Sequence, residues 1–357
     1  MNHNRILNHP DFSTSAPAAT LRQTPLGFVD VGARGGVHDV VDAIAGITAI
    51  LGFEPDREEI ARLRGELAQG TPWARCEMEP IALGDKSGPA QLHLLSAPTN
   101  HSLRPPNQGF TDRYRMGKWK QTGVLPLQTR PLDEILFGPR ADEPFWGEFL
   151  KLDTQGTEYE ILEGCGRTLR ERTVAVITEV EFFQIYEGQR LFSDVELLLR
   201  KHGFSFYGFN TLHYRSCRQL DKRREVGRER TFHTDAIFFK DPLPGGPFRG
   251  GLSARQQHVL FVCALLTDYY DFALELACTT WARGEEADRI QRLVHALAAW
   301  PPRQSHDEVL ALAERVRATP EDANVELGKF VDRFRHLPDY DDMMLGWPSE
   351  KNGPTHG

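Results

Sequence analysis

The sequence predicts an α/β fold, with a mostly parallel sheet followed by an all-helical region. From Gly27 to about Lys240, short apolar segments alternate with amphipathic ones, the pattern of successive strand–helix–strand units. A stretch rich in proline and glycine, residues 242–250, ends this pattern. Beyond it, apolar residues recur only at helical spacing, so we expect helices without strands there.

The strands and helices of the α/β part follow in order from these patterns. Phe28–Val31 predicts the first strand, apolar residues at helical spacing follow up to Gly46, and Ile50–Phe53 predicts the second strand. The third strand is predicted from Cys76 to Leu83. Further strands are expected near residues 91–95, 124–128, 149–152, 174–177, 204–209 and 236–239, with helices near 57–67, 131–136, 157–163 and 195–202.

One connection is unusually long. Residues 96–123 are polar, aromatic and basic without a clear period. Because loops of this length inside compact domains are uncommon unless they bind or cover a ligand, we expect this segment to be a substrate cover.

Three regions are expected along the chain. Residues 1–24, rich in Asn, Pro, Ser, Thr and Ala, are interpreted as a flexible N-terminal tail. Residues 25–243 form the α/β domain, and residues 252–345 form a helical C-terminal region that could bind another copy of the chain or a protein partner.

Composition narrows the class of protein and its partners. The 357 residues include 50 acidic and 42 basic side chains, and the net charge of -8 argues against an extended nucleic-acid or anionic membrane surface. No window approaches the roughly 18 apolar residues of a membrane span. The cysteines, 5 in number, are scattered without CxxC spacing, which favours neither disulfides nor structural zinc. We expect a soluble cytoplasmic protein that acts on a small molecule.

A glycine-rich turn follows the first predicted strand. Residues 30–36 read Asp-Val-Gly-Ala-Arg-Gly-Gly, and glycines at such a turn let the backbone approach a ligand at a helix N-terminus. A dinucleotide fingerprint starting at Gly32 would need glycines where Arg34 and Val37 stand, and the chain has no Gly-Lys-Ser or Gly-Lys-Thr triplet of a P-loop. Both observations disfavour NAD and ATP. A tight turn without a ligand remains the simpler alternative.

Carboxylates follow three other predicted strands. Glu54 comes after the second strand, where an acidic side chain can accept hydrogen bonds from both ribose hydroxyls of a nucleoside. Asp85 follows the third strand and can reach an adenine amino group, or is simply a turn residue. Asp153 ends the strand Phe149–Leu152, and its possible roles are general base, metal ligand or holder of an amino group. Together these positions indicate a nucleotide-like ligand at one edge of the sheet.

The motifs in this order resemble the FkbM family of methyltransferases over roughly residues 28–240. Those that carry the resemblance are Phe28-Val29-Asp30-Val31-Gly32-Ala33, Gly52-Phe53-Glu54-Pro55, Ala82-Leu83-Gly84-Asp85, Leu152-Asp153-Thr154-Gln155-Gly156-Thr157-Glu158 and Tyr186-Glu187-Gly188-Gln189. The resemblance implies a seven-stranded, Rossmann-like class I methyltransferase sheet with the C-terminal helices as an appendage. It also implies S-adenosyl-L-methionine as methyl donor and a hydroxyl of a sugar, glycan or other natural product as acceptor.

The resemblance also implies roles for individual residues. Asp30, Gly32, Ala33 and Gly36 would line the methionine end of the donor, and Arg34 departs from the small or amide residue of many methyltransferases. Residues expected further along the donor are Glu54 at the ribose, Asp85 at the adenine, and Asp153 at the methionine amino group.

Catalytic and substrate-binding residues are expected beside the donor. We expect Asp153 and Glu179 to be catalytic, either as general bases or, with Glu181, around a divalent cation; a metal is possible but not expected. Residues interpreted as substrate-binding are His101, Ser102, Gln155 and Glu158, although Glu158 could instead only favour a helix dipole. His213 and His233 are more typical of satisfied surface histidines. Two alternatives stay open: a nicotinamide-dependent reductase, and a degenerate methyltransferase-fold scaffold that binds a protein partner.

Overall fold

The computed structural model describes residues 3–221, 224–225 and 227–333. The strands are β1 (Leu26–Val31), β2 (Thr48–Phe53), β3 (Arg75–Glu79), β4 (Ala82–Leu83), β5 (Gly88–Leu95), β6 (Gln121–Arg130), β7 (Phe149–Leu152), β8 (Ala175–Glu181), β9 (Ser205–Phe209), β10 (Tyr214–Arg215), β11 (Arg230–Thr231) and β12 (His233–Phe239). The α-helices are α1 (Pro10–Ser13), α2 (Ala16–Gln23), α3 (Arg57–Leu67), α4 (Gln108–Arg113), α5 (Leu132–Leu136), α6 (Glu158–Glu163), α7 (Gly166–Glu171), α8 (Phe192–Lys201), α9 (Ala254–Leu266), α10 (Tyr270–Thr280), α11 (Glu285–Ala298), α12 (Trp300–Ala318) and α13 (Ala323–Arg333).

The main sheet has seven strands in the order β3-β2-β1-β7-β8-β12-β9. The pairs from β3 through β8 are parallel, and β12 runs antiparallel between β8 and β9. The strand order turns back at β1, so the carboxyl ends of β1 and β7 flank a crevice where ligands of open α/β sheets bind. This architecture confirms the predicted Rossmann-like methyltransferase sheet, and the C-terminal helices follow it as expected.

The third predicted strand is two strands in two sheets. β3 ends at Glu79, and Pro80 interrupts it because proline cannot donate a ladder hydrogen bond. β4 instead pairs with β6 in a separate sheet of three strands, β4-β6-β5. Asp85 therefore follows a strand of the small sheet. The predicted helix before Gly46 is also different, since residues Asp39–Ile47 form a 3-10 helix.

The N-terminal residues that we interpreted as a flexible tail form two helices with buried side chains. Phe12 and Leu21 are fully buried in the same apolar cluster as strand β1. Two polar contacts fix the segment: the Ala16 N–H donates to Glu286 at 2.8 Å, and Arg292 pairs with Asp11 at 2.8 Å. The partners lie more than 250 residues away in sequence, so local composition gives no sign of them.

The helices α9, α10 and α11 pack on one face of the main sheet. Residues 259–265 of α9 are all buried, as expected for a helix that is apolar on every side. They share one cluster with strand residues such as Phe28, Phe149, Ile177 and Phe239. These helices thus complete the core of the unit that contains the sheet, residues 1–218 and 229–298.

On this face of the sheet, the side chains change from apolar to charged along the strands. Toward the amino ends of β1, β7 and β8 it carries the apolar side chains that α9–α11 cover. Because alternate residues share a face, the continuing positions toward the carboxyl ends are Asp30, Lys151 with Asp153, and Glu179. A belt of charged side chains therefore crosses the sheet beside the apolar core.

A second unit contains the described residues of the ranges 219–228 and 299–333. Its described helices are α12 and α13, and Arg315 of α12 pairs with Glu326 of α13 at 3.0 Å. The segment 334–345 of the predicted helical region lies outside the described residues, as do Met1 and Asn2 of the predicted tail.

Candidate functional site

A cavity of about 280 Å³ opens at the carboxyl ends of β1, β2 and β7. Its lining includes Gly32, Glu54 and Asp153 from these three strand ends, and an apolar wall formed by residues 81–83. The cavity is near the lower end of the size range of small-molecule sites. The cavity thus brings together three of the strand-end residues that the sequence suggested, Gly32, Glu54 and Asp153.

The glycine turn after β1 packs against the end of β7. Gly32 has φ +83°, and a Cβ at this position would lie 1.9 Å from the Asp153 carbonyl oxygen, so only glycine fits. Asp30 supports the turn, because its Oδ2 accepts the His38 N–H at 2.9 Å. Burial raises the pKa of Asp30, and its Oδ1 has no hydrogen-bond partner among the described residues. Ala33 is buried behind the turn, and Gly36 has φ +120° with open space around it.

Glu54 presents one free carboxylate oxygen at the cavity. Its Oε1 accepts the Asp56 N–H at 2.8 Å, whereas no group in the described part of the chain bonds its Oε2. Burial raises the pKa of Glu54, and the hydrogen bond from Asp56 and the charge of Arg34 oppose that rise. Arg34 lies 3.8 Å from Glu54 and 3.1 Å from Asp56, so this unusual residue favours the ionised carboxylate.

Asp85 does not join the cavity. Its side chain is 46% exposed, and its near neighbour is Lys86 at 3.9 Å. In the main sheet, the edge strand β3 ends at Glu79, whose carboxylate accepts a hydrogen bond from Arg140 at 2.8 Å. At this side the cavity wall is apolar, formed by Ile81, Ala82 and Leu83.

Asp153 lies at the end of β7 between a cation and an amide. Lys151 Nζ is 3.1 Å from its Oδ2, and Gln155 Nε2 donates to its Oδ1 at 2.9 Å. Desolvation opposes ionisation of Asp153, but Lys151 and the Gln155 hydrogen bond outweigh it and hold the pKa below its usual value. Asp153 is therefore a carboxylate at the cavity.

Gln155 connects Asp153 to Glu179. Its Nε2 is also 2.9 Å from Glu179 Oε2, and its Oε1 lies 3.0 Å from the Tyr186 hydroxyl. The backbone of Gln155 has φ +59°, a conformation uncommon for a residue other than glycine. The loop after β7 thus holds one amide between two carboxyl groups.

Glu179 is buried in a group of acidic side chains. Burial raises its pKa well above the usual range, and Asp153 and Glu181 add repulsion. Its Oε1 contacts His233 Nδ1 at 2.8 Å. Glu158 is occupied differently, because its carboxylate accepts the Thr154 N–H at 2.7 Å and the Gly156 N–H at 3.0 Å. Glu158 therefore fixes the loop after β7 rather than facing the cavity.

The segment 96–123 contributes to the cavity wall. It contains α4 and two short 3-10 helices, and Asn100, His101, Ser102 and Leu103 line the cavity. Ser102 donates to the Gln155 carbonyl at 2.6 Å, and His101 Nδ1 accepts the Leu95 N–H at 3.0 Å. Since Nδ1 is an acceptor, the other nitrogen of His101 carries the proton. Burial and Arg34 lower the pKa of this histidine, which makes it a neutral donor.

Three residues beside the site were missed or set aside by sequence reasoning: Lys151, Tyr186 and His233. Lys151 had a signal, since a lysine inside the apolar strand Phe149–Leu152 needs a buried partner. The contacts of Tyr186 and His233 gave no such signal in the sequence, because they depend on which strands and loops become neighbours in the fold.

Comparison with known families matches residues 30–206 to the Methyltransferase FkbM domain. The chain contains an FkbM methyltransferase domain. The match covers the glycine turn, Glu54, the loop after β7 and Glu179, so the resemblance suggested by the motifs is confirmed.

Several solved structures show partial similarity to this chain. A methyltransferase FkbM from Methylobacillus flagellatus shows 15% identity over 60% of this chain, with a TM-score of 0.32. The chain spans 43% of the length of that protein. The magnesium protoporphyrin IX methyltransferase from Synechocystis, solved with bound SAM, shows 10% identity over 63% of this chain and 76% of its own, with a TM-score of 0.29. The precorrin-6y C5,15-methyltransferase from Geobacter metallireducens shows 10% identity over 67% and 94%, also with a TM-score of 0.29. No curated protein matches the sequence.

Two features have no candidate among the described residues, a metal-binding cluster and a membrane-spanning helix. The described residues contain no group of three or more His, Cys, Asp or Glu side chains that could hold a metal ion. Within the same residues, no helix combines the length and apolar character needed to cross a membrane.

Proposed function

We propose that the FkbM domain transfers a methyl group from S-adenosyl-L-methionine to a hydroxyl of a sugar, glycan or other natural product. The observation that carries the proposal is the cavity, in which a glycine turn, the free oxygen of Glu54 and the carboxylate of Asp153 meet an apolar wall. The FkbM family indicates methyl transfer as the reaction, and the chemistry of these residues is what fits the donor.

The chemistry of the lining fits each part of the donor. Glu54 Oε2 is available to accept hydrogen bonds from ribose hydroxyls, and Ile81, Ala82 and Leu83 suit the flat face of an adenine. The turn at Gly32 allows close approach of the methionine end, and Asp153 suits its ammonium group. Asp85 stays an unsupported part of the sequence prediction, because its side chain lies outside this lining.

The donor, when bound, supplies an electrophilic methyl group on a positively charged sulfur. For the displacement, the chain has to align the acceptor and remove a hydroxyl proton. The carboxylate of Asp153 at the cavity favours the cationic donor over its neutral product, which promotes product release. His101 offers a neutral N–H that can bind an acceptor oxygen.

Isothermal titration calorimetry with S-adenosylmethionine tests the donor site. Glu54→Ala removes the ribose-binding carboxylate, and the loss of a single charged hydrogen bond, about 1.5–3 kcal/mol, already corresponds to roughly a 10- to 100-fold weaker affinity. Asp85→Ala is the matched control, since it removes an acidic residue outside the cavity and should change affinity less than twofold. Absence of binding by the folded wild type, or equal effects of both variants, would overturn the assignment. NADH titrated in parallel should not bind.

The methyl acceptor can be sought with the same protein. Methyl-labelled donor is incubated with the protein and a small-molecule cell extract, and labelled products are separated by chromatography. We expect the label in a hydroxylated compound as an ether that is stable to mild base. Label in an ester, an amine or nucleic acid would contradict the proposed acceptor.

A further inference from the structure

We propose that Tyr186 is a positioning residue of the donor site, whose hydroxyl holds the Gln155 amide so that Asp153 is oriented toward the ammonium group of the donor. This inference rests on the proposed function and adds a residue that acts on the donor through Gln155. It starts from the Tyr186 hydroxyl, which bonds Asn100 and Gln155, two residues on different segments of the cavity lining.

Three groups surround the Tyr186 hydroxyl. Trp119 Nε1 donates to its oxygen at 3.1 Å, and the Asn100 carbonyl oxygen and Gln155 Oε1 each lie 3.0 Å away as acceptors. Because the Trp119 N–H occupies a lone pair of the phenol oxygen, the single hydroxyl proton is directed at the two carbonyl oxygens as a three-centre hydrogen bond. Burial, followed by repulsion from Glu179, raises the pKa of Tyr186 well above its usual range, so the hydroxyl keeps this proton.

The contact with Tyr186 supports one orientation of the Gln155 amide. Gln155 Nε2 donates to Asp153 Oδ1 and to Glu179 Oε2, both at 2.9 Å, so each of its two N–H groups bonds a carboxyl oxygen. The reversed amide would place its oxygen against the Asp153 carboxylate. Within the part of the chain that the structure describes, the Tyr186 hydroxyl is the one group that bonds Gln155 Oε1. It therefore completes the hydrogen bonding of the amide in the orientation that serves Asp153.

The oriented amide keeps Asp153 both ionised and fixed. Desolvation opposes ionisation of Asp153, whereas Lys151 and then the Gln155 hydrogen bond lower its pKa. Gln155 bonds Oδ1 and Lys151 bonds Oδ2, so the carboxylate is held at both oxygens. A carboxylate that is already fixed loses little side-chain entropy when it binds an ammonium group. The affinity for the donor should therefore depend on the Gln155 amide, and through it on Tyr186.

The fold fixes Tyr186 itself. Its backbone N–H donates to Gln189 Oε1 at 3.2 Å, and Tyr186 forms a β-bridge with Pro106. Gly156, the residue after Gln155, has φ +96°, and a Cβ at this position would lie 2.8 Å from Tyr186 Cδ2. The loop after β7 therefore lies in contact with the tyrosine ring, and the hydroxyl is held beside Gln155.

The same hydroxyl joins the segment 96–123 to the loop after β7. The Asn100 carbonyl accepts from Tyr186, and in the next turn of the chain Ser102 donates to the Gln155 carbonyl at 2.6 Å. These contacts lie on the Asp153 side of the lining, and none of them involves Glu54. Loss of the hydroxyl should therefore weaken binding of the methionine end of the donor and leave binding of its adenosine part unchanged.

Calorimetry with two adenosine thioethers tests this role. S-adenosylhomocysteine carries the ammonium group, whereas methylthioadenosine lacks the amino-acid part. Tyr186→Phe keeps the ring without the hydroxyl, so it should weaken binding of S-adenosylmethionine and S-adenosylhomocysteine about 3- to 10-fold and leave methylthioadenosine within twofold of the wild type. Tyr207→Phe, which removes a hydroxyl bonded to Asp241 at 2.9 Å, is the matched control and should leave all three affinities unchanged. Unchanged binding of S-adenosylhomocysteine by Tyr186→Phe, or equal weakening of both thioethers, would overturn the proposal. A wild type that does not bind S-adenosylmethionine would instead overturn the proposed function.

A double-mutant cycle distinguishes positioning from a purely structural role. Gln155→Met keeps the length of the side chain without the amide, so it should by itself weaken S-adenosylhomocysteine and spare methylthioadenosine, even if Tyr186→Phe proves too unstable to study. In the Gln155→Met background the Tyr186 hydroxyl has no amide to hold, and adding Tyr186→Phe should change the affinity for S-adenosylhomocysteine less than twofold. A loss in that background as large as in the wild type, or a Gln155→Met variant that binds like the wild type, would contradict the assignment.

Discussion

The buried Lys151 allows the sharpest prediction about stability. Its side chain is 6% exposed, and its charge faces Asp153 at 3.1 Å and the neighbouring Asp30 and Asp235. Lys151→Met keeps much of the volume but leaves three buried carboxyl groups without their cation. Removing one partner of a buried ion pair costs about 3–5 kcal/mol, so we expect unfolding free energy to fall by that amount at pH 8.

The stability loss of Lys151→Met should depend on pH, and the direction follows from the pKa values of the three carboxyl groups. Lys151 lowers the pKa of all three carboxyl groups, so its removal raises their folded-state values. An acid whose folded pKa exceeds its unfolded one loses stability as pH rises through that interval. The deficit of Lys151→Met should therefore be larger at pH 8 than at pH 5.

Urea denaturation at both pH values measures the effect. Lys118→Met, at an exposed lysine, is the control and should change stability by less than 0.5 kcal/mol, roughly the range of surface substitutions. Lys151→Met with Asp30→Asn should recover part of the loss, since one uncompensated charge is removed. A single variant within about 1 kcal/mol of the wild type at pH 8, or one with no pH dependence, would refute this account.

Four further substitutions test the fold and the site. Leu260→Ala in α9 removes a fully buried side chain and should cost about 2–5 kcal/mol in denaturant unfolding; a cost under 1 kcal/mol would mean that α9 is not part of the core. Gly32→Ala should abolish calorimetric donor binding because the added Cβ meets the Asp153 carbonyl, whereas Gly65→Ala, with open space in α3, should stabilise by about 0.5–1 kcal/mol. Lys240 is buried, and desolvation lowers its pKa to about 8. Between pH 8 and 10 the unfolded chain therefore holds a proton that the folded chain has lost, so the free energy of unfolding of the wild type should rise by about 1 kcal/mol or more per pH unit. Lys240→Met should lack this rise in urea denaturation.

The sequence predicted the parts of the site that follow from strand ends. Glu54 and Asp153 could be found because each follows an apolar run, and the ends of parallel strands meet at one edge of a sheet. Asp85 has the same appearance in sequence, but the interruption at Pro80 moves its strand into another sheet. A period-2 pattern does not tell which sheet a strand joins.

Long-range packing accounts for the rest. The N-terminal segment looked like a tail because its composition is polar and small, yet Phe12 and Leu21 are buried in the core. The contact between Glu179 and His233 likewise depends on β12 entering the sheet next to β8. Single-sequence periodicity predicts elements, whereas such contacts depend on which elements become neighbours.

The covering of one sheet face by the first and the last segments of the same unit has a consequence for protein synthesis. While the ribosome is still adding residues before α9, the nascent strands expose Phe28, Phe149 and Ile177 to solvent. The N-terminal helices gain their contacts with the C-terminal helices only later, because α2 packs on α9, and Ala16 of α2 and Asp11 of α1 bind side chains of α11. Folding of this domain is therefore completed late in translation, and a chaperone that binds apolar strands would have its target during that interval.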